Sequence, residues 1–185
     1  MLRRFLKARQ WDVAGAQQMW MDMLEFRALY NVDRILTDFQ FTEREEFLDA
    51  YPHGLHKVDR KFRPVMVYKF GAVDLDRLKA VTTDERITLF HIQEYERIMN
   101  GVLPACSLAS GHYVEQLFTL IDVAGLKMKD MMRVKDLLTG YIKVDSNNYP
   151  ETLGAMVIIN APYWFSGMFS AIKSFLPPET QKKVQ

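Results

Sequence analysis

The run from Asn147 to Lys183 constrains the fold of this chain more than any other segment, and it reads NNYPETLGAMVIINAPYWFSGMFSAIKSFLPPETQKK. Its segment Ala155–Asn160 carries no polar residue before its end, which predicts a strand that is covered on both faces. The following segment, Tyr163–Leu176, has large apolar residues on several sides of a helix and should be buried or line an apolar space. One carboxylate, Glu151, and one ammonium, Lys183, flank this apolar wall. Such an arrangement suits an amphiphilic ligand.

Composition limits the class of protein. A chain of 185 residues with 49% hydrophobic residues fits one compact domain with a substantial core. The net charge of +1 gives no bulk attraction to nucleic acid or to membranes. The single cysteine, Cys106, excludes an internal disulfide and fits a reducing compartment. Because no apolar run approaches the ~20 residues of a bilayer span and no signal peptide is recognised, we expect a cytoplasmic protein that touches membranes peripherally.

Helical and strand patterns alternate along the chain. Asp12 is a candidate N-cap for a helix over Val13–Leu29, and Thr42 with Glu45 resembles a capping box. Thr83 begins a helix that we expect to end at Gly101. Three strand patterns, near residues 65–70, 116–122 and 155–160, are separated by helical ones. This alternation predicts an α/β fold with parallel strand pairs and right-handed crossovers.

Motifs for catalysis are missing from the sequence. It has no G-x-S-x-G elbow, P-loop or G-x-G-x-x-G, and His53 and His56 lack the acid or cysteine pattern of a metal site. Asp122 at a strand end has no paired nucleophile. We therefore expect a protein that is not an enzyme and that needs no metal or cofactor.

Four segments carry a resemblance to a known family: LRRFLKARQWDV, FRPVMVYKFGAVDL, LPACSLASGHYVEQLFTLIDVAGL and the C-terminal run quoted above. In this order they resemble the CRAL-TRIO lipid-binding domain, and specifically the secretory-pathway phosphatidylinositol/phosphatidylcholine transfer proteins. The resemblance implies an α/β/α fold with a small, mostly parallel sheet. Residues 1–50 would form the helical N-terminal region and residues 51–185 the lipid-binding domain. The family continues with further strands and a mobile gating helix, so we expect this chain to be incomplete at both ends.

The resemblance also implies a site for the phosphoinositol head group. It assigns this role to Arg9, Glu151, Thr180 and Lys183. The chemistry of these residues agrees with that role. The segment PPET, Pro177 to Thr180, is typical of a helix start whose free N–H groups favour an anion. Lys183 follows Thr180 by three residues and should lie on the same helix face. Two departures, Gln10 and Thr152, stand where the family has basic residues and predict weaker head-group affinity.

A second set of residues concerns the apolar cavity. Tyr95 and Thr119 match two of four positions that hold a choline head group in the family, whereas Leu55 and Leu117 replace the other two. The alternative interpretation of every apolar candidate is an ordinary core position. The candidates for the lining are Phe118, Leu120, Met156, Ile158, Trp164, Phe165, Met168, Phe169, Ile172 and Phe175.

Taken together, the resemblance implies a monomer that binds phosphatidylinositol and transfers or presents it between membranes. It would support phosphoinositide supply and vesicle traffic at Golgi or endosomal membranes, without nucleic acid, and phosphatidylcholine is a candidate second ligand. Alternatives are a carrier for another hydrophobic ligand such as a tocopherol or retinoid, a lipid-sensing regulatory module without transfer, and a hydrolase-like enzyme.

Overall fold

The computed structural model describes residues 1–173 and 178–184, with only the backbone for residues 131, 132, 134, 136, 137, 168, 171, 172, 178 and 179. At its centre lies a four-stranded sheet whose strand order follows the chain. The first pair is antiparallel and the other two pairs are parallel. The predicted α/β class with a small, mostly parallel sheet is confirmed. The strands are β1 (His53–Val58), β2 (Pro64–Lys69), β3 (Leu117–Asp122) and β4 (Leu153–Ile159).

Ten α-helices accompany the sheet in the described part of the chain, and two of them begin at the predicted caps. The Asp12 carboxylate accepts a hydrogen bond from the backbone N–H of Ala14 at 3.1 Å, and the Thr83 hydroxyl accepts one from Arg86 at 3.3 Å. Each cap satisfies an otherwise free N–H group of the first turn. The helices are α1 (Leu2–Ala8), α2 (Val13–Leu29), α3 (Ile35–Asp38), α4 (Arg44–Ala50), α5 (Leu75–Val81), α6 (Asp84–Arg97), α7 (Leu103–Ser110), α8 (Met128–Asn148), α9 (Phe165–Lys173) and α10 (Pro178–Gln181).

Two local predictions are wrong, and one strand was missed. Strand β1 was not predicted, because its sequence HGLHKV is polar and four of its six residues are exposed. Gly101 does not end the helix; α6 continues through a π-helical segment, Ile98–Val102, into α7. The capping box is absent, since the N-cap of α4 is Glu43 and the Thr42 hydroxyl donates to the Glu43 carboxylate instead.

The two faces of the sheet differ in what covers them. The strand register places Thr119 beside Met156 and Ile121 beside Ile158 on one face, where the main core packs against them. Helices α4, α6, α8 and α9 all contribute to that core. Every residue of β4 is therefore half-buried, and the expectation of a strand covered on both faces is corrected.

Candidate functional site

A cavity of about 140 Å³ lies over the covered face of the sheet. Residues far apart in the sequence form its walls, because β2, β3, β4, α6 and α8 each supply side chains. Three of the predicted head-group residues, Glu151, Thr180 and Lys183, line it together. The remaining walls include Tyr51, Tyr68, Phe70, His91, Tyr95, Thr119, Ile121, Leu138, Tyr141, Asp145, Tyr149 and Met156.

Glu151 occupies a turn that the surrounding backbone holds tightly. Its φ is +60°, in the left-handed region that few residues other than glycine adopt. The Thr152 hydroxyl donates to the Tyr149 carbonyl at 2.8 Å, and the Leu117 N–H donates to the Thr152 carbonyl at 2.7 Å. This turn joins the end of α8 to β4 and fixes the backbone position from which the Glu151 side chain extends.

Helix α1 reaches the same turn through a buried arginine. Arg4, 6% exposed, donates to the Pro150 carbonyl at 3.4 Å and also to the Glu115 carbonyl. The Lys7 ammonium adds an ion pair with the Glu115 carboxylate at 3.3 Å. The N-terminal helix is thus attached to the residue that immediately precedes Glu151.

The C-terminal segment meets the turn from the other side. Lys183 donates from Nζ to Glu151 Oε2 at 3.3 Å, and both side chains are about one-fifth exposed, at 20% and 22%. The backbone carbonyl of Lys183 accepts a hydrogen bond from the Met156 N–H at 2.8 Å, and Val184 forms a parallel β-bridge with Met156. Both ends of the chain therefore come together around Glu151.

The groups of this site are complementary in chemistry to a polyol phosphate. A carboxylate accepts hydrogen bonds from hydroxyl groups, whereas an ammonium and a hydroxyl donate to phosphate oxygens. Glu151 carries such a carboxylate, Lys183 such an ammonium and Thr180 such a hydroxyl, and all three line the cavity. The helix start that the sequence predicted here is α10, a single turn of four residues, whose dipole is too small to add much.

Of the other polar positions noted in the sequence, Thr152 belongs to the lining of the cavity, whereas Arg9 and Gln10 do not belong to its described lining. Arg9 is exposed at the end of α1 and does not belong to the described lining of the cavity. Gln10 is exposed as well. Thr152 is 4% exposed and closes the turn before β4. The structure thus brings together three of the four predicted head-group residues.

The apolar candidates divide into three groups. Tyr95, Thr119 and Met156 line the cavity. Phe118 and Leu120 point to the opposite face of the sheet, because side chains alternate along β3, and the Arg63 guanidinium lies 5.6 Å from the Phe118 ring. Ile158, Trp164, Phe165 and Phe169 pack in the main core. The side chains of Met168 and Ile172, and Phe175 altogether, lie outside the described residues.

Sequence reasoning found Tyr95 but missed the polar and aromatic residues that surround it inside the cavity. Asp145 accepts from Tyr95 at 2.7 Å, and its other oxygen lies 2.7 Å from His91 Nε2. The Tyr141 ring stacks on His91 with 4.1 Å between centroids. Burial, followed by the charge of Asp145, raises the pKa of Tyr95 well above its usual value, so this phenol stays neutral. No sequence signal unites these residues, which lie on α6 and α8.

The cavity is small for a ligand that carries acyl chains. Its volume of about 140 Å³ matches an engineered cavity that holds one benzene molecule and falls below the usual range for larger ligands. A larger cavity of about 740 Å³ lies between α2 and α7. Tyr149 contributes to both, but none of the predicted site residues belongs to the described lining of the larger one.

Comparisons with known proteins agree with this geometry. The profile of the family described as "CRAL/TRIO domain" matches residues 48–185. The chain is 42% identical over 185 residues to the phosphatidylinositol/phosphatidylcholine transfer protein SFH12 of Arabidopsis thaliana, and covers 100% of itself and 34% of that protein. It is 38% identical over 183 residues to the SEC14 cytosolic factor of Yarrowia lipolytica, covering 99% of itself and 37% of the relative. The chain thus spans about a third of the length of these relatives.

One solved structure supports the fold. The crystal structure of Sfh5 superposes with a TM-score of 0.73 at 19% sequence identity, over 100% of this chain and 62% of that one. Within the described residues, no helix combines the length and apolar character needed to cross a bilayer. The same part of the chain holds no group of three or more histidine, cysteine or acidic residues placed to bind a metal ion.

Proposed function

We propose, since this chain belongs to the CRAL/TRIO domain family, that it binds phosphatidylinositol and transfers or presents it between membranes. The observation that carries the proposal is the convergence of Glu151, Thr180 and Lys183 on one cavity. The names of the relatives, which are phosphatidylinositol/phosphatidylcholine transfer proteins, support the same ligand class.

In the proposed complex the inositol ring lies against Glu151, which accepts hydrogen bonds from its hydroxyls. The phosphate accepts hydrogen bonds from the Lys183 ammonium. Ligand binding thus replaces the Lys183–Glu151 ion pair of 3.3 Å by two charge-assisted contacts, one from Lys183 to the phosphate and one from the inositol hydroxyls to Glu151. Neither side chain is fully desolvated, which keeps the cost of separating the pair low. Thr180 adds a hydroxyl donor on the same wall.

Phosphatidylcholine is the weaker ligand in this proposal. Tyr95 and Thr119 line the cavity, but Leu55 is 42% exposed on β1 and Leu117 is buried in a separate apolar cluster. The Tyr95 hydroxyl is also engaged by Asp145. We therefore expect transfer of phosphatidylinositol to exceed that of phosphatidylcholine.

We propose that no catalytic step takes place in the cavity. His91 pairs with Asp145, and Ser146 also lines the cavity. Among the described residues, however, no hydrogen bond joins Ser146 to His91, as a general base and nucleophile would require.

The site of action that we propose is the cytoplasmic side of Golgi or endosomal membranes, where the protein would act as a peripheral monomer. The name of the Yarrowia relative, a cytosolic factor, supports the cytoplasmic part. Imaging of the tagged chain together with markers of these membranes tests the location.

The function is tested by transfer of labelled phosphatidylinositol between vesicles, with labelled phosphatidylcholine in parallel. Glu151→Gln and Lys183→Ala should each lower phosphatidylinositol transfer by roughly ten- to hundredfold, the size expected for one hydrogen bond to a charged group. Glu46→Gln and Lys79→Ala are matched controls, because both residues are exposed on α4 and α5. Normal transfer by either site variant would refute the head-group assignment.

A second candidate function is a lipid-sensing module that binds the head group without extracting the lipid. The small volume of the cavity, about 140 Å³, favours it. Co-sedimentation with vesicles that contain phosphatidylinositol, without any transfer of that lipid, would identify this function. Equal binding of a tocopherol or retinoid would instead favour a carrier for another hydrophobic ligand.

A further inference from the structure

The Tyr51 hydroxyl is a buried polar group with no hydrogen-bond partner. The residue is 0% exposed, and its hydroxyl oxygen is the buried side-chain atom of the described residues that lacks a partner. Tyr51 also belongs to the wall of the cavity that contains Glu151. Buried polar atoms in native proteins nearly always have a hydrogen-bond partner. The unpaired Tyr51 hydroxyl therefore points to a group that enters the cavity.

The ring of Tyr51 is held in place by its neighbours. It stacks on Tyr68 at 6.2 Å, on Phe70 at 5.9 Å and on Tyr141 at 6.2 Å between centroids. His53 packs on it as well, at 4.6 Å. A ring fixed by four aromatic contacts cannot turn to find another partner, so the hydroxyl keeps its direction.

Apart from Glu151, which the proposed function assigns to the head group, the cavity offers free hydroxyl donors rather than free carboxylate acceptors. The Tyr95 hydroxyl donates to Asp145 and the Tyr149 hydroxyl to Glu96. Both Asp145 oxygens are occupied, one by Tyr95 and the other by His91. Tyr68 and Tyr141 line the same cavity, and no hydrogen bond joins the hydroxyl of either residue to another described residue.

The electrostatic surroundings favour a neutral partner. Burial, with added contributions from Glu94 and Asp145, raises the pKa of Tyr51 and of Tyr68 well above the usual value, so both phenols stay protonated donors. The two carboxylates oppose the entry of a phosphate. A quaternary ammonium has neither a donor nor an acceptor, and it would leave the Tyr51 hydroxyl without a partner.

We propose that Tyr51, supported by Tyr68 and Tyr141, donates its hydroxyl hydrogen to an ester carbonyl of the bound phospholipid. This assignment rests on the proposed function, because it places the glycerol esters inside the cavity while Glu151 and Lys183 hold the head group at its wall. An ester carbonyl is a neutral acceptor that carries no hydrogen of its own. It therefore matches the part of the cavity wall where the hydroxyls of Tyr51, Tyr68 and Tyr141 have no acceptor among the described residues.

The experiment compares diacyl phosphatidylinositol with its dialkyl ether analogue, which has the same head group and chains but no carbonyl. Competition with labelled diacyl lipid gives the relative affinities for the wild type and for Tyr51→Phe. The wild type should prefer the diacyl lipid by roughly two- to tenfold, the size of one neutral hydrogen bond. Tyr51→Phe should lose this preference and bind the ether lipid as before.

Two controls separate the possible failures. Tyr113→Phe, at a residue that is 74% exposed, should keep the preference. Without ligand, Tyr51→Phe should melt at the same temperature as the wild type or higher, since it removes an unsatisfied polar atom. A lower melting temperature would mean that a buried water or a protein group already serves the hydroxyl, and would overturn the proposal.

The remaining outcomes are equally decisive. Equal affinity of the wild type for ester and ether lipids would overturn carbonyl recognition while leaving the proposed function intact. An equal loss for both lipids in Tyr51→Phe would assign the hydroxyl to the fold and not to the ester. If the wild type binds neither lipid, the proposed function fails, and this inference fails with it.

Discussion

Lys183 Nζ lies 3.3 Å from Glu151 Oε2 and joins two residues that are 32 positions apart in the sequence. The contact closes the cavity at the point where α8, β4 and the C-terminal segment meet. Each residue partly neutralises the charge of the other, and in the proposed complex the carboxylate meets ligand hydroxyls and the ammonium meets phosphate oxygens. The pair is a structural contact, and in the proposed function it is also the head-group site, so that mutation can separate the two roles.

Exchange of the two charges separates these roles. The double variant Glu151→Lys with Lys183→Glu keeps an ion pair, so its free energy of unfolding should stay within about 1 kcal/mol of the wild type. Phosphatidylinositol binding should be lost, because the hydroxyls and the phosphate would each meet the wrong charge. Urea unfolding and vesicle binding are the measurements. Retained binding by the exchanged variant would show that the pair only supports the fold.

Arg4 is expected to control the same site from a distance. Arg4→Met leaves the buried carbonyls of Pro150 and Glu115 without their donor and should cost roughly 1–3 kcal/mol of unfolding free energy. It should also weaken phosphatidylinositol binding, because the turn before Glu151 loosens. Arg3→Met is the matched control, since Arg3 is the exposed neighbour on α1. Identical urea midpoints for the two variants would contradict this role.

The sequence was sufficient for those parts of the fold that depend on local patterns. The caps Asp12 and Thr83 and the apolar strand residues of β3 and β4 act over a few residues, and the structure contains the elements that they predict. Strand β1 is different, because its exposed residues form a strand through pairing with β2. Such an edge strand has no period of its own to detect.

The candidate site divides in the same way. Glu151, Thr180 and Lys183 were found because they stand in motifs of a family, whereas the phenols around Tyr51 were not found. Tyr51, Tyr68 and Tyr141 lie after α4, on β2 and on α8, and only the packed structure places them together. The direction of Phe118 was missed for a similar reason, since an apolar strand does not reveal which of its faces is covered.

Glu43 gives the chain a defined sensitivity to acid. It accepts from Arg86 Nε and from a second Arg86 nitrogen at 2.7 Å, and the Thr82 hydroxyl also donates to it at 2.7 Å. Chiefly through the Arg86 bond, the pKa of Glu43 is lowered from 4.5 to about 2. A lowered pKa stabilises the folded state above the unfolded value, so this contribution should disappear as the pH falls from 4.5 to about 2.

The check is urea unfolding of the wild type and of Glu43→Gln, measured at neutral pH and again near the pKa of about 2 that Glu43 has in the folded state. The wild type should be the more stable at neutral pH, and the difference should shrink as the pH falls. Glu46→Gln, at an exposed residue of the same helix, should show no such convergence. A difference that stays constant with pH would contradict the role of the Glu43–Arg86 pair.

Entry of acyl chains should move α9. The cavity holds about 140 Å³, and Trp164, Phe165 and Phe169 pack against the core beside it, with Phe165 only 6% exposed. A lipid whose chains enter this region must displace some of these rings, because close-packed interiors do not compress. The emission of Trp164 should therefore shift when phosphatidylinositol binds.

The variant Trp11→Phe with Trp20→Phe leaves Trp164 as the only tryptophan of the chain, which has three. Its emission is recorded with vesicles that contain phosphatidylinositol and with vesicles that lack it. The matched reporter keeps Trp20 alone, which packs edge-on against Phe5 at 5.0 Å between α1 and α2 and should not respond. An unchanged Trp164 spectrum in a variant that still transfers the lipid would exclude displacement of α9 as the route of entry.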